Sequence, residues 1–210
     1  MNLTAQLVNF WAEFEEKHKG AGIEEFCRHH LATADNEKIY KNLFAGEMPP
    51  RPDIVLSKLL DRFARLHMIY IQLAMEGLKI KHFEEFSLLS AISQLKTPRK
   101  TEVIYHTLNE LTTGLNLLAS MHDRGLIAEQ DDPDDKRSKR LRLTPKGEKL
   151  LKSCYERFSK VPEILFMDIP TEDILLCIQL LKNIELKFSN LRKQHKGQSF
   201  DKIYGTLIKK

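Results

Sequence analysis

The densest chemistry in this sequence is cationic. Eight basic residues stand at positions 136, 137, 139, 140, 142, 146, 149 and 152, against one intervening acid, Glu148. Five acids fall just before them, between positions 129 and 135. Lysine and arginine at this density can neutralise phosphates. A local basic face says more about a nucleic-acid partner than the whole-chain charge of +4. On charge alone, a solvated surface reads equally well. Groups that make and break bonds are scattered instead. His29, His30, His67, His82, His106 and His122 share no ligand spacing, and no HExxH, GxSxG, GxGxxG or Walker-A pattern occurs. His18, Cys27, His29 and His30 could be gathered around a metal by two N-terminal helices, but nothing in their spacing demands it. No metal and no cofactor is expected. Cys27 lies beside Arg28, as a redox-sensing thiol would, yet a buried structural cysteine is the expected reading. No nucleophile and base are paired, so the chain does not read as an enzyme.

Length and composition bound the rest. A chain of 210 residues suits one domain with an extension, or two small domains. Hydrophobic residues at 42% and charged residues at 30% fit a globular protein and argue against disorder throughout. No apolar run approaches the roughly 20 residues that span a bilayer. Residues 1–16 lack the basic start and apolar centre of a signal peptide. Cys27, Cys154 and Cys177 are too few and too far apart for a disulfide framework or a CxxC metal motif. The expected location is cytoplasmic, without a membrane partner.

The elements that position the basic run are mostly helical. Leu56, Leu59, Leu60, Phe63, Leu66, Tyr70 and Leu73 recur at helical spacing between a start at Asp53 and a stop at Gly77. A second helix is predicted over 82–95, with Phe83, Phe86, Leu89 and Ile92 inward. Thr97-Pro98 reads as the cap of a third, which carries Val103, Ile104, Thr107 and Leu108. A fourth runs over 111–123, with Leu115, Leu118, Ala119 and His122 on one face, and ends at Gly125. The period then changes. Residues 126–129 suggest a short strand, and 131–135 a turn. Lys139-Arg140-Leu141-Arg142-Leu143 alternates basic and apolar, as a half-buried strand does. Thr144-Pro145 caps a helix through Leu150, Leu151, Cys154 and Phe158. Pro162 and Pro170 bracket an irregular link. Thr171, Glu172 and Asp173 open a last long helix striped by Ile174, Ile178, Leu181, Ile184, Phe188 and Leu191.

Three helices, a hairpin and a helix in this order predict a mainly α fold, a winged helix-turn-helix domain with flanking dimerisation helices. The second helix of such a pair enters the major groove and the hairpin, or wing, lies beside it. Arg124-Gly125-Leu126-Ile127, then Asp132-Pro133-Asp134-Asp135-Lys136-Arg137, then Leu141-Arg142-Leu143-Thr144-Pro145-Lys146-Gly147 resemble the wing signature of the MarR family of multiple-antibiotic-resistance-type repressors. The resemblance extends more weakly over about 53–192. It implies a homodimeric, sequence-specific transcription regulator that binds double-stranded DNA. It implies that Asp135 orients the turn and Arg137 reaches the minor groove, with Lys136, Lys139 and Arg140 near phosphates. It also implies that Thr112 and Thr113 open the recognition helix, with Asn116 and Ser120 one and two turns on. Many relatives carry arginine at the positions of Asn116 and Ser120, and a hydroxyl at that of Leu115, so this recognition helix is poor in charge. Gly114 within it costs about 1 kcal/mol relative to alanine. Thr112 and Thr113 also read as plain helix caps, and Asp135 with Arg137 as a surface ion pair.

The expected domains are a helical extension over 1–50, the winged-helix body with its dimerisation helices over 51–195 (wing about 126–144), and a basic tail over 196–210. Leu3, Leu7, Phe10, Trp11 and Phe14 suggest one helix of the extension, Ile23, Phe26 and Leu31 another, and 45–50 a linker. Apolar stripes in terminal helices leave little chain to cover them, which points to a two-fold dimer. An apolar crevice lined by Phe63, His67, Tyr70 and Phe83 is expected between the wing domain and the dimerisation region. The resemblance implies small aromatic or phenolic effectors there. The alternative is a protein-interaction module on a winged-helix scaffold with weak DNA binding.

Overall fold

Helical spacing in the sequence becomes helix nearly everywhere, but not always with the expected face inward. The computed structural model describes residues 2–33, 51–132 and 138–208, with only the backbone at Lys193. The chain divides into two units, Met1–Arg65 and Leu66–Lys210.

The first unit begins with α1 (Leu3–Lys17) and α2 (Ile23–Thr33). The side chain of Asn2 caps α1 by accepting from the Thr4 N–H at 3.0 Å. Phe14 and Phe26 are buried against each other, ring centroids 5.5 Å apart, and Trp11 meets Phe26 edge-on at 5.2 Å. Leu3, Leu7, Ile23 and Leu31 stay exposed. Cys27 is exposed too, contrary to the buried thiol expected. Phe26 takes the inward position on α2, and one residue further round a helix points away. The buried thiol is Cys154 in the second unit. Burial pushes it up to about 11, with the nearby Glu85 carboxylate adding to the shift. The predicted linker at 45–50 lies outside the described residues.

Helix α3 (Pro52–Met75) runs through the division, and Gly77, at φ +79, follows its end. Val55 and Ile71 are its buried residues. Leu56, Leu60, Phe63, Leu66, Tyr70 and Leu73, six of the seven stripe positions, are exposed.

The second unit continues with α4 (Phe83–Leu95), α5 (Lys100–His106), α6 (Leu111–Asp123), β1 (Ile127–Asp131), β2 (Lys139–Leu143) and α7 (Pro145–Phe158). Leu88, Leu89 and Ile92 of α4, Val103 and Ile104 of α5, Leu118 and Met121 of α6, and Ile127 and Leu141 of the strands form one buried cluster. Burying each such side chain contributes roughly 1.5–3 kcal/mol. The buried face of α6 is Gly114, Leu118 and Met121. Leu115 and Ala119, expected inward, face solvent. Gly114 explains this rotation. A Cβ there would stand 2.6 Å from Ile104 Cγ1, so the bare backbone lets α5 and α6 close together. Gly147 makes a tighter approach, since its Cβ would fall 2.0 Å from the Leu126 carbonyl oxygen.

The strands pair antiparallel, from Ile127 opposite Leu143 to Asp131 opposite Lys139. A third segment joins them. Arg99 bridges to Arg140, and the Leu141 N–H donates to the Pro98 carbonyl at 2.8 Å. Thr97-Pro98 is therefore a bend leading onto the wing's edge rather than a helix cap. Helix α5 starts two residues later, where the Arg99 N–H donates to Glu102 Oε2 at 2.8 Å. Thr144 does cap α7, with Pro145 at its first position and the Gly147 N–H donating to Thr144 Oγ1 at 3.1 Å.

Beyond α7 the expected irregular link is helical. Helix α8 (Lys160–Leu165) holds Pro162 in its first turn, where a missing N–H costs nothing. Helices α9 (Thr171–His195) and α10 (Phe200–Ile208) follow. Among the described residues, no helix is long and apolar enough to cross a membrane.

Candidate nucleic-acid interface

Helix α6 is capped by Glu110, whose carboxylate accepts from the Thr113 N–H at 2.9 Å. That bond, with a further one from Thr112, holds the Glu110 carboxyl below its ordinary pKa. Thr112 and Thr113 are thus not the cap, and both hydroxyl side chains are exposed. Asn116 is exposed one turn on, and Ser120 is half-buried a turn further. These four residues share one side of α6, as helical spacing requires. Leu115 lies beside them, 40% exposed. No lysine or arginine occurs from Leu111 to Asp123.

The cations sit on the hairpin and its supports, and acids meet several of them. Lys139 pairs with Asp131 across the strands, and this bond raises the Lys139 pKa. Lys100 Nζ lies 2.6 Å from Glu129 Oε1. Asp132 is buried, with Arg99 Nε donating to Oδ2 at 2.7 Å and Arg140 Nε 3.1 Å from Oδ1. Arg140 also donates to the Thr97 carbonyl at 3.1 Å. Arg142 and Lys149 point to solvent. Asp135, Lys136 and Arg137 lie outside the described residues.

A second ionic group fixes the far end of α6. Arg124 Nη1 donates to Glu85 Oε1 at 2.6 Å, and Nη2 to the Lys79 carbonyl at 2.7 Å. The Lys81 N–H donates to Glu85 Oε2 at 3.1 Å, so both oxygens of this buried carboxylate are held. Lys146 Nζ donates to the Arg124 carbonyl at 2.6 Å. Removing one partner of such a buried pair typically costs about 3–5 kcal/mol. Sequence reasoning passed over Glu85 and Arg99, and gave Arg124 and Asp132 a place in the wing signature but no role. A signal existed for Glu85, a carboxylate three and four residues from the core positions Leu88 and Leu89.

The four residues expected to line an effector crevice fall in both units of the chain. Phe63 belongs to the first unit. In the second, the rings of His67 and Phe83 stand 6.4 Å apart, and Phe83 packs against Phe86 and Phe158 at 5.6 and 5.7 Å. Tyr70 is exposed. A cavity of about 1030 Å³ lies elsewhere, between α9 and the turn that leads into α6, with Tyr105, Leu111, Ile184, Phe188 and Arg192 in its lining. In the first unit the rings of His18 and His29 approach to 5.1 Å, and the His18 Nδ1 contacts the Phe14 carbonyl at 3.0 Å. Among the described residues, no three potential ligands converge on a metal position.

Known proteins agree with this geometry. The winged helix DNA-binding domain family matches residues 84–147. The transcriptional regulator HosA of Escherichia coli O111:H- is 27% identical over 100 residues, which is 48% of this chain and 74% of HosA. A cysteine-to-serine mutant of MarR from E. coli, solved with operator DNA, superposes with a TM-score of 0.58 at 18% identity, over 62% of this chain and 94% of that one. BpsR of Bordetella bronchiseptica, whose DNA binding is regulated by 6-hydroxynicotinic acid, gives 0.56 at 21% identity, over 61% of this chain and 97% of its own. At such identities the solved structures speak for the fold. The chain is MarR-like in fold, and its residues 84–147 are similar to the winged helix DNA-binding domain family.

Proposed function

We propose that this protein is a cytoplasmic transcription regulator that binds a specific double-stranded DNA sequence as a homodimer. The observation that carries the reading is α6. It presents Thr112, Thr113 and Asn116 to solvent beside a hairpin bearing Lys139 and Arg142. That arrangement fits one helix in a major groove of about 12 Å with a wing on the flanking backbone. Lys136 and Arg137 complete the wing in this reading, with Asp135 orienting its turn. The solved MarR complex with operator DNA supports it by analogy. The test is fluorescence anisotropy on a duplex selected from a random pool and on an unselected one, across salt concentrations. Equal affinity for both would remove the specific-operator reading.

Dimerisation is supported by apolar surface exposed among the described residues. On α9, Ile178, Leu181, Ile184 and Phe188 are exposed, and so are Leu175, Leu176, Leu180 and Leu186 on its other sides. An apolar stripe on an otherwise polar helix belongs against a partner surface. Exposed Leu56, Leu60, Leu66 and Leu73 of α3, and the exposed Leu3, Leu7, Ile23 and Leu31 of α1 and α2, offer more of the same. Obligate dimers commonly bury roughly 2,000 Å² or more.

A small aromatic or phenolic effector is part of the proposal. BpsR, with its aromatic acid regulator, is the supporting relative. Phe63, His67, Tyr70 and Phe83 are one proposed set. The cavity beside Phe188 is a second, since its volume admits such a molecule. One observation favours the interaction-module alternative. The described wing acids pair with the cations around them, and α6 carries no lysine or arginine.

A further inference from the structure

We infer that Asp132 is a positioning residue for DNA recognition, setting the wing's angle through Arg99 and Arg140. The inference rests on the DNA-binding reading above. Asp132 stands immediately after β1, where the hairpin turns away. Its side chain is fully buried, while those of Arg99 and Arg140 are 38% and 24% exposed. Arg140 belongs to β2, and Arg99 leads into α5, which packs directly on α6 through Ile104 and Gly114. One carboxylate thus ties together the wing's two strands and the element that supports the recognition helix. Its own N–H donates to the Ser138 carbonyl at 3.2 Å, closing the base of the turn.

The physical chemistry favours a role beyond filling space. A carboxylate taken wholly out of water carries a large desolvation penalty, offset only while its cationic partners stay in place. The site therefore tolerates a narrow range of wing positions. Arg140 also joins Asp132, by an ionic contact of Nε, to the Thr97 carbonyl, to which Nη1 donates, and a lysine's single ammonium cannot hold both positions. Arg140, expected from the family resemblance to lie at phosphates, acts here through Asp132.

The test uses the full chain with Asp132→Asn and, separately, Arg140→Lys, each checked for folding by circular dichroism and sedimentation. The duplex is one selected from a random pool. In Asp132→Asn, exchange of the Leu141 amide should accelerate about tenfold or more relative to that of Leu118 in α6, as local opening predicts. Affinity should fall about tenfold, and the hydroxyl-radical footprint should shrink at its outer flanks while central protection by α6 persists. Arg140→Lys should lose the same flanks although its charge is kept. A folded Asp132→Asn with parental exchange and footprint overturns the inference, and so does an Arg140→Lys that binds like the parent. If the parent protects no duplex, the DNA-binding reading fails by itself, and Leu141 exchange still decides whether Asp132 holds the wing. If Asp132→Asn does not fold, Arg140→Lys decides alone.

Discussion

The Arg192 guanidinium of α9 donates to the Leu108 carbonyl at 3.0 Å, and to that of Asn109 at 3.2 Å. Leu108 sits in the left-handed region at φ +58, in the turn between α5 and α6. A non-glycine residue there carries a cost of roughly 1–2 kcal/mol. The last long helix thus grips a strained turn just before α6. Arg192→Ala should lower stability by about 1 kcal/mol, the ordinary worth of exposed hydrogen bonds of this kind. Urea unfolding checks it, with a lower midpoint and an unchanged slope expected. Leu108→Asn should act the other way, because asparagine tolerates this conformation and little burial is lost at an exposed site.

The two close glycines should respond unequally to alanine. At Gly114 the new Cβ meets the branched, fully buried side chain of Ile104, which must repack, while alanine's helix propensity returns about 1 kcal/mol. At Gly147 it meets the backbone carbonyl of Leu126, which is fixed by a bond from the Thr144 N–H at 3.1 Å. Gly114→Ala should cost about 1–2 kcal/mol, and Gly147→Ala about 3 kcal/mol or more. Chemical denaturation of the two variants side by side decides the order.

For the wing, Arg137→Ala should weaken DNA binding by roughly ten- to a hundredfold with limited change in preferred sequence, and Asp135→Ala should weaken it less. Lys139→Ala should lower the magnitude of the log K against log salt slope by about one unit per contact. Its pairing with Asp131 is solvent-exposed and yields readily to a phosphate. Asn116→Ala should relax specificity with a smaller salt effect. Anisotropy on a selected and a random duplex separates these outcomes. An Arg137→Ala protein that binds both like the parent would move the interaction-module reading ahead.

Assembly gives a fourth prediction. Leu181→Glu should convert a micromolar dimer to monomer in sedimentation, since a charge at the centre of the α9 stripe cannot be buried unpaired. A parent that is monodisperse monomer at that concentration would refute the proposed interface.

Much of the fold was legible because its signals are local. Helical spacing, Thr144-Pro145, Gly125 and the alternation of 139–143 each announce themselves within a few residues. The errors arose where the deciding contact is distant in sequence. Thr97-Pro98 looks like a cap, yet Leu141 claims the Pro98 carbonyl from across the wing. The buried face of α6 turns on the fit of Gly114 to Ile104, which no periodicity in α6 reveals. At the interface, Thr112, Thr113 and Asn116 were readable as a face. That Arg140 serves a buried carboxylate was not, because the acids near positions 129 to 135 look alike until folding selects Asp132 for burial.

The three cysteines, finally, make this protein its own labelling reagent. Thiolate is the species that reacts with a disulfide or maleimide probe, and at neutral pH Cys154 holds almost none of it, besides being buried. Cys27 and Cys177 are exposed, one in each unit of the chain. A thiol reagent applied to the folded, unaltered protein should therefore leave Cys154 until denaturation, and should count two sites where α9 is open and one where a second copy covers Cys177. A fluorophore on Cys27 would track α2 while DNA is added, with no substitution in the winged domain.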